Sequence, residues 1–369
     1  MLKRTLVVLG SVLALVLAAC GQPAPTAPTA APTTPPTAPT AAPATPPAAP
    51  TAAPTTPPTA PTAAPATPPA APTGEKLRLI IGTGGTGGVF FPYGGGLARI
   101  LTEKMPNTEA IAQETGGSVD NMKLLQNNEA QIGFTTANSA YDAINGVGAY
   151  QATGPVPAAA IAVLYQSFIH VVARADSGIK SITDMKGRPV SIGSPGSSTE
   201  IAAIRLLEAA GLKQEDVIRE NLGVANSVAA MKDKKIDAFF WIGGLPTAAV
   251  TDLVTTESVV FIDTSSLLKP LVDKYGPIYA ATVLPGGTYK GTDKDVPGIG
   301  VTNLLVVRQD MPADQVKGIL TTIFDNIEEV RKIHPAARSL SLKSAVVGSS
   351  IPFHPAAIEF YKERGVWKE

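Results

Sequence analysis

The sequence predicts a two-lobed α/β protein, and three observations support this fold class. From Leu77 onward, short apolar runs alternate with helix-like segments, which is typical of a mostly parallel sheet. This alternation restarts after a long apolar stretch at residues 158–174. Residues 75–369 are also too many for the commonest single core, and they suit two lobes.

The elements of the first lobe follow from apolar periodicity. Strands are predicted at 77–82, 111–114 and 131–135. A helix is predicted after each of them, at 92–104, from 118 and from 138. The second lobe repeats the pattern and begins with a short helix at 181–187. Its strands are predicted at 189–193, 217–221, 237–241 and 259–263, and its other helices at 197–210, at 226–234 and after 246.

Two segments of the predicted lobes resemble each other. Residues 118–123 (SVDNMK) precede the strand QIGF, and residues 227–232 (SVAAMK) precede the strand DAFF. Two lobes of similar wiring would explain this, and chance similarity between amphipathic helices is the alternative.

Two strands are predicted to cross between the lobes. If residues 167–174 leave the first lobe, the late apolar run 301–308 is the natural return, and two crossing strands form a hinge. A helix at 312–334 would then pack on the first lobe. We therefore assign 75–172 plus 301–369 to lobe 1 and 173–300 to lobe 2.

The first twenty residues have the pattern of a signal peptide. Lys3 and Arg4 precede an apolar stretch at 5–19 that is short for a membrane span, and small residues lead to Cys20. Because Cys20 is the sole cysteine of the chain, we expect it to be lipidated and to anchor the protein on the extracytoplasmic side of a membrane. An ordinary signal peptide with an incidental cysteine is the alternative.

Residues 21–74 are predicted to be a disordered tether. A 22-residue unit at 28–49 is repeated unchanged at 50–71, and its frequent prolines block helix and favour polyproline II. The segment fits a spacer between anchor and body, and its many threonines also fit a glycosylated stalk.

Several classes of function are disfavoured by composition. The formal net charge is zero and no basic run exists, so we expect no nucleic-acid partner. The three histidines lack metal-ligand spacing and no GxSxG motif is present, so we predict no enzyme, no catalytic residue, no metal site and no cofactor. His170, inside an apolar strand, is predicted to be a hydrogen-bonded core residue.

A glycine-rich turn at 82–88 formally contains the GxGxxG pattern of dinucleotide sites. The acidic residue that such sites need is Glu114, which comes too late along the chain, so we disfavour a dinucleotide. The glycines do offer backbone N–H groups to an anion at a helix N-terminus.

Two similar turns open the helices after Gly116 and Gly193, all three at the carboxyl ends of predicted strands, where open α/β sheets bind ligands. Plain helix capping is the alternative, and the spacing of Ser197 and Glu200 fits it. The candidate ligand-binding residues are backbone, hydroxyl and wall positions around these turns and strands: Thr83, Gly85, Thr86, Phe91, Gly117, Ser118, Thr135, Thr136, Tyr165, Ser197, Ser198, Thr199 and Trp241.

Four segments carry a family resemblance: IGTGGTGGVFFPYGGGLA, ETGGSVDN, QIGFTTANSA and GRPVSIGSPGSSTE. Together they resemble the TAXI family of TRAP transporter solute receptors. This resemblance implies a two-lobed periplasmic-binding-protein fold of type II, a small organic acid such as glutamate, glutamine or a dicarboxylate as ligand, and TRAP membrane subunits as partners. The alternatives are a receptor for an ATP-driven importer or a sensor kinase, and an exported enzyme on the same scaffold.

The tether generates a first prediction. Residues 23–73 contain no aromatic, charged or branched aliphatic residue, so they cannot bury enough surface to offset the entropy of ordering. Deleting them should leave the dissociation constant of a soluble form unchanged in calorimetry, while uptake by cells should fall once the spacer is too short. A changed affinity of the soluble form would contradict a passive spacer.

Overall fold

The computed structural model describes residues 76–368, and within this range one ten-stranded sheet carries helices on both faces. The predicted signal peptide, the lipidation at Cys20 and the predicted tether lie outside the described residues. In the part that is described, no helix is both long and apolar enough to cross a membrane.

The strands, in chain order, are β1 (Leu77–Gly82), β2 (Thr108–Gln113), β3 (Ile132–Thr136), β4 (Ala158–Arg174), β5 (Pro189–Ser191), β6 (Ile218–Glu220), β7 (Ala238–Gly243), β8 (Val259–Phe261), β9 (Ala280–Leu284) and β10 (Val296–Arg308). The α-helices are α1 (Phe90–Lys104), α2 (Ser118–Gln126), α3 (Ala137–Asn145), α4 (Ser198–Ala209), α5 (Val224–Lys232), α6 (Ala248–Thr256), α7 (Leu268–Tyr275), α8 (Ala313–Asp325), α9 (Ile327–Ile333) and α10 (Pro355–Glu363). The short helix predicted at 181–187 is a 3₁₀ turn, Ile182–Met185.

The sheet has the order β2-β1-β3-β10-β4-β7-β5-β6. Lobe 1 contains the parallel strands β1–β3, lobe 2 contains the parallel strands β5–β7, and the antiparallel pair β4 and β10 runs through both. The predicted two-lobed α/β fold is therefore confirmed. The lobe boundaries at 172/173 and 300/301 stay a prediction, because β4 and β10 continue unbroken across them.

The crossing pair brings the carboxyl ends of the parallel strands of the two lobes close together. Thr136, at the end of β3, pairs with Asn303, which pairs with Tyr165. Gly243, at the end of β7, pairs with Phe168 on the same strand. Three residues of β-strand span about 10 Å. The edges where α/β sheets bind ligands thus face each other across a narrow gap.

Both faces of β4 are covered, which explains its continuous apolar sequence. In lobe 2, Ile169 and Val171 pack into one core cluster with α4. Phe168 and Val172 pack into another cluster, with α5 and α6. Successive side chains of the strand point to opposite faces of the sheet and therefore pack into two different cores.

Besides the 3₁₀ turn, two further predicted elements differ from the structure. The return strand begins at Val296 instead of 301, because the unpredicted strand β9 pairs with its first residues despite a proline and two glycines there. The helix predicted at 312–334 is two helices, α8 and α9. They separate at Asn326, whose side-chain amide donates to the Thr322 carbonyl (2.8 Å) while its backbone leaves the helical region.

The two similar sequence segments occupy equivalent places. The first forms α2 and leads into β3, and the second forms α5 and leads into β7. β3 and β7 are the two strands that flank the crossing pair. The similarity therefore reflects equivalent wiring of the lobes.

His170 is a hydrogen-bonded core residue, as predicted from the sequence. Its ring is fully buried on β4. Nδ1 lies 3.3 Å from the Trp241 carbonyl, which can only accept, so Nδ1 carries the ring proton. Nε2 therefore accepts from the hydroxyl of Tyr289 (3.1 Å), which itself accepts the N–H of Thr247 (2.8 Å). Burial lowers the pKa of His170 from 6.5 to about 4.

This lowered pKa predicts a pH-dependent stability. As pH falls through 6.5 the unfolded chain takes up a proton at His170, but the folded protein does so only near pH 4. The free energy of unfolding should therefore decrease by at most about 3 kcal/mol over this window and level off below it. Urea unfolding from pH 8 to pH 4 would measure the slope. The variant His170→Gln should be less stable at pH 8 and show a shallower decline, and an unchanged slope would contradict the assignment.

Candidate functional site

The first side of the site is the glycine-rich turn between β1 and α1. Gly88 donates its N–H to the Gly85 carbonyl (3.1 Å), which closes the turn. Thr86 donates its N–H to Glu114 Oε1 (3.3 Å), so the turn is tied to the end of β2. A Cβ at Gly82 would lie 2.7 Å from Asn121 Oδ1, which explains the small residue there.

Asn121, which sequence analysis missed, holds three segments of lobe 1 together. Its fully buried amide nitrogen donates to the carbonyls of Thr83 (2.6 Å) and Phe134 (2.8 Å). Because these carbonyls belong to the first turn and to β3, the amide fixes the turn against the central strand. Beside it, Ser118 Oγ accepts the N–H of Thr136 (3.2 Å), which leaves the serine proton free for another acceptor.

The opposite side of the site is the first turn of α4 in lobe 2. Ser197 is the N-cap, and its hydroxyl accepts the N–H of Glu200 (3.2 Å) and donates to the Ser194 carbonyl (2.7 Å). Thr199 Oγ1 accepts the N–H of Ile242 (3.2 Å), which joins the helix start to β7. The N–H groups of Ser198 and Thr199, before Glu200 in the first turn, have no helical partner four residues back, so they remain donors toward the gap.

The two lobes touch through these turns. Val119 and Asp120, in the first turn of α2, donate their N–H groups to the Gly196 carbonyl (3.1 and 3.2 Å). Ser194 Oγ donates in the other direction, to the Gly116 carbonyl (2.9 Å). A Cβ at Gly116 would collide with the Pro195 carbonyl, so glycine permits this close approach.

A cavity of about 350 Å³ lies between the lobes. It is lined by the turns described above together with the start of α5 and the end of β7. The lining residues are 84–90, 114–118, 136, 165, 194, 197–199, 223–226 and 241–243. This volume is within the range of small-molecule sites.

The electrostatics of the cavity come mainly from neutral groups. Among its described lining residues, Glu114 is the only acidic or basic side chain. Burial raises the pKa of Tyr165 well above 10, so its hydroxyl stays protonated and can donate. An acidic ligand would therefore meet hydroxyl and backbone N–H donors without a lysine or arginine in the lining.

Trp241 forms a wall whose position is fixed by hydrogen bonds. Its Nε1 donates to Thr247 Oγ1 (3.0 Å), and that hydroxyl donates to the Gly244 carbonyl (2.8 Å). Tyr289 accepts the Thr247 N–H and contacts His170, so the buried histidine supports the same wall.

Ten of the sequence-predicted residues line the cavity: Gly85, Thr86, Gly117, Ser118, Thr136, Tyr165, Ser197, Ser198, Thr199 and Trp241. Their role in ligand binding stays a prediction.

The other three do not line it. Thr83 is buried beneath its turn and donates to the Gln113 carbonyl (2.5 Å). Thr135 is fully buried and points to the opposite face of β3 from Thr136, as the alternation of a strand requires. Phe91 does not line the cavity, but its neighbour Phe90 does, because successive residues point about 100° apart around a helix.

Glu114, Ser194 and residues 223–226 also line the cavity but were not predicted as ligand-binding residues from the sequence. The sequence pattern pointed to Glu114 only as the acid of a disfavoured dinucleotide site. Ser194 was visible in the third glycine-rich turn. Residues 223–226 reach the cavity because α5 of lobe 2 packs near the first turn, where a Cβ at Gly87 would lie 3.0 Å from Ala225 Cβ. Such a contact between distant segments has no local sequence signal.

Comparison with known proteins identifies one family. The model described as the NMT1-like family matches residues 81–365.

Among solved structures, the chain is similar to a protein of Bordetella bronchiseptica RB50 (19% identity, 78% of this chain and 89% of that chain, TM-score 0.50). It is also similar to the periplasmic aliphatic sulphonate binding protein of Escherichia coli (17% identity, 79% of this chain and 94% of that chain, TM-score 0.43). A third similar structure is a putative L-cystine ABC transporter protein from Listeria monocytogenes (10% identity, 70% of this chain and 94% of that chain, TM-score 0.43). At these identities the likeness is one of fold.

The contact between lobes at Gly88 yields a prediction. A Cβ there would lie 2.8 Å from Trp241 Cη2 across the cavity, so Gly88→Ala should push the wall away and weaken ligand binding by roughly 1 kcal/mol, about fivefold. Calorimetry with the ligand recovered from the wild-type protein would measure this.

Gly95→Ala is the matched control. A Cβ at Gly95, in α1, meets nothing within 4 Å, so this variant should keep wild-type affinity and be slightly more stable. Equal affinities of the two variants would show that Gly88 does not shape the site.

Proposed function

The chain belongs to the NMT1-like family, and from this premise we propose that it is an extracytoplasmic solute-binding receptor. The proposed receptor captures a small organic acid between its lobes and delivers it to a membrane importer. The observation that carries the proposal is the cavity of about 350 Å³ enclosed by the facing carboxyl edges of the two lobes.

Binding without turnover is supported by the chemistry of the lining. The described lining residues include serine and threonine hydroxyls, but no histidine, lysine or cysteine. Ser118 and Ser197 exchange hydrogen bonds with backbone groups instead of with a general base. A nucleophile needs an adjacent base to become reactive. We therefore propose a binding protein and not an enzyme.

We propose that the acid group of the ligand is held by neutral donors. The first turn of α4 offers backbone N–H groups, and Ser118, Thr199 and Tyr165 offer hydroxyls. A helix N-terminus carries a partial positive charge that favours an anion. The turn at 84–88 supplies further N–H groups from the other lobe.

The importer partner has two candidates. One of the similar structures is a putative L-cystine ABC transporter protein. We therefore propose an ATP-driven importer first, and second the cation-coupled TRAP transporter that the resemblance to TAXI receptors implies. Uptake into membrane vesicles of the producing cell would separate them: the first needs internal ATP and tolerates ionophores, and the second needs the ion gradient.

The proposed location rests on the signal-peptide pattern of the first twenty residues. We propose that Cys20 is lipidated and that the tether connects this anchor to the binding body. Metabolic labelling with a fatty acid would test the anchor, with Cys20→Ala as control. Label that persists in the control would contradict lipidation at this residue.

The central experiment is native mass spectrometry of the purified protein. A single small acid retained at one per chain, released on unfolding and restoring thermal stability when added back, is the expected result. A protein that carries no such molecule and is not stabilised by any organic acid would refute the proposed function.

Ser198 provides the test of the neutral-donor arrangement. Ser198→Ala should reduce affinity by about 1 kcal/mol or less, because the backbone donors of α4 remain. Ser198→Phe should abolish measurable binding, because the side chain lines the cavity and is nearly buried. Titration calorimetry would measure both, with thermal unfolding as the check of folding. An arginine-to-alanine variant that stays folded but loses all binding would contradict the arrangement.

A further inference from the structure

Glu114 has no role in the structure that requires a carboxylate. It directly follows β2, its side chain is exposed and lines the cavity, and its hydrogen bond is to the Thr86 N–H (3.3 Å). No lysine, arginine or histidine among the described residues pairs with it. A glutamine would satisfy the same N–H, so the fold does not require the negative charge.

Other carboxylates lie close behind the turns that line the cavity. Asp120 accepts the Gly116 N–H (3.0 Å), and a Cβ at Gly196 would collide with its Oδ1. Burial raises the pKa of Glu200, and the charge of Asp120 adds to this effect, while hydrogen bonds and Arg219 act against it. Neither Asp120 nor Glu200 is a lining residue, whereas Glu114 is, and no cationic side chain in the lining offsets it.

The cavity therefore offers two kinds of partner to a ligand. The first turn of α4 supplies neutral donors, which suit an acid group. Glu114 supplies one carboxylate, which repels an anion and attracts a cation. A ligand with an acid group alone uses the donors and leaves Glu114 without a partner.

We propose that Glu114 is a specificity-determining residue, which selects ligands that carry a cationic nitrogen in addition to their acid group. This inference rests on the proposed function and narrows its ligand class to zwitterions, such as amino acids. The ligand's ammonium pairs with Glu114 while its acid group lies toward α4. Dicarboxylates without an amino group are then poor ligands.

Matched pairs of probes test the inference. L-glutamate and glutarate, L-aspartate and succinate, and 4-aminobutyrate and butyrate differ within each pair by the amino group. Titration calorimetry on ligand-free full-length protein should give at least tenfold tighter binding for the amino member of any pair that binds. In Glu114→Gln this preference should fall to less than threefold, because the variant keeps an acceptor for Thr86 but loses the charge.

Glu109→Gln, on the strand that Glu114 follows, is the matched control. Glu109 is exposed, and its nearest cationic partner is Arg78 at 3.8 Å, outside the cavity. This variant should keep the wild-type preference. A wild-type preference below threefold, or a preference that survives in Glu114→Gln, would overturn the inference and leave the proposed function intact. Binding of no probe at all, with no retained acid in native mass spectrometry, would overturn both.

Discussion

The antiparallel pairing of β4 with β10 is the constraint on which the rest of the structure depends. Both strands pass through both lobes, and each is bordered by a strand of one lobe: β3 beside β10 and β7 beside β4. Because each of these neighbours is antiparallel to its crossing strand, the two parallel sets run in opposite directions and end at the same level. The gap between the ends is where every glycine-rich turn of the protein's site is found. The place of the cavity is therefore decided by strand direction.

Glycine is required at the site for the close approach of the two lobes, and at Gly196 also for a positive φ of 75°. A side chain at Gly116 or Gly196 would meet the backbone or the carboxylate of the facing turn. With glycine there, the start of α2 in lobe 1 receives its capping carbonyl from Gly196 of lobe 2. The orphan donors of one lobe's helix are thus satisfied by the other lobe. A local capping residue would have met the same need without bringing the lobes together.

The fold could be predicted from the sequence because its signals are local. The alternation of strand and helix, and the apolar run that became β4, are visible within windows of a few residues. The break at Asn326 and the strand β9 could not be predicted, since a side-chain hydrogen bond and a distant pairing decide them.

At the site, the turns were identifiable from glycine and hydroxyl residues. Phe91 and Thr135 each missed the cavity by one residue, because a single step changes the face of a helix or strand. Glu114 was visible, but its meaning depends on the absence of a nearby cation, which only tertiary structure reveals.

The lobes are joined by contacts of two different strengths. Arg205 of α4 donates to Asp142 of α3 (2.6 Å) and to the Tyr279 hydroxyl (3.2 Å), and both members of the ion pair are largely buried. Removing one partner of such a pair leaves a buried charge and costs about 3–5 kcal/mol. The contacts between the turns at Gly196 and Gly116 are backbone and hydroxyl hydrogen bonds, each worth about 1 kcal/mol net because water can replace the partner. Separating the turns exposes only groups that water can satisfy, whereas separating α3 from α4 breaks a largely buried ion pair. A scaffold with this asymmetry can open on the side of the turns while the crossing strands and the ion pair keep the lobes together, and a ligand that contacts both turns adds its binding energy where the protein's own contacts are weakest.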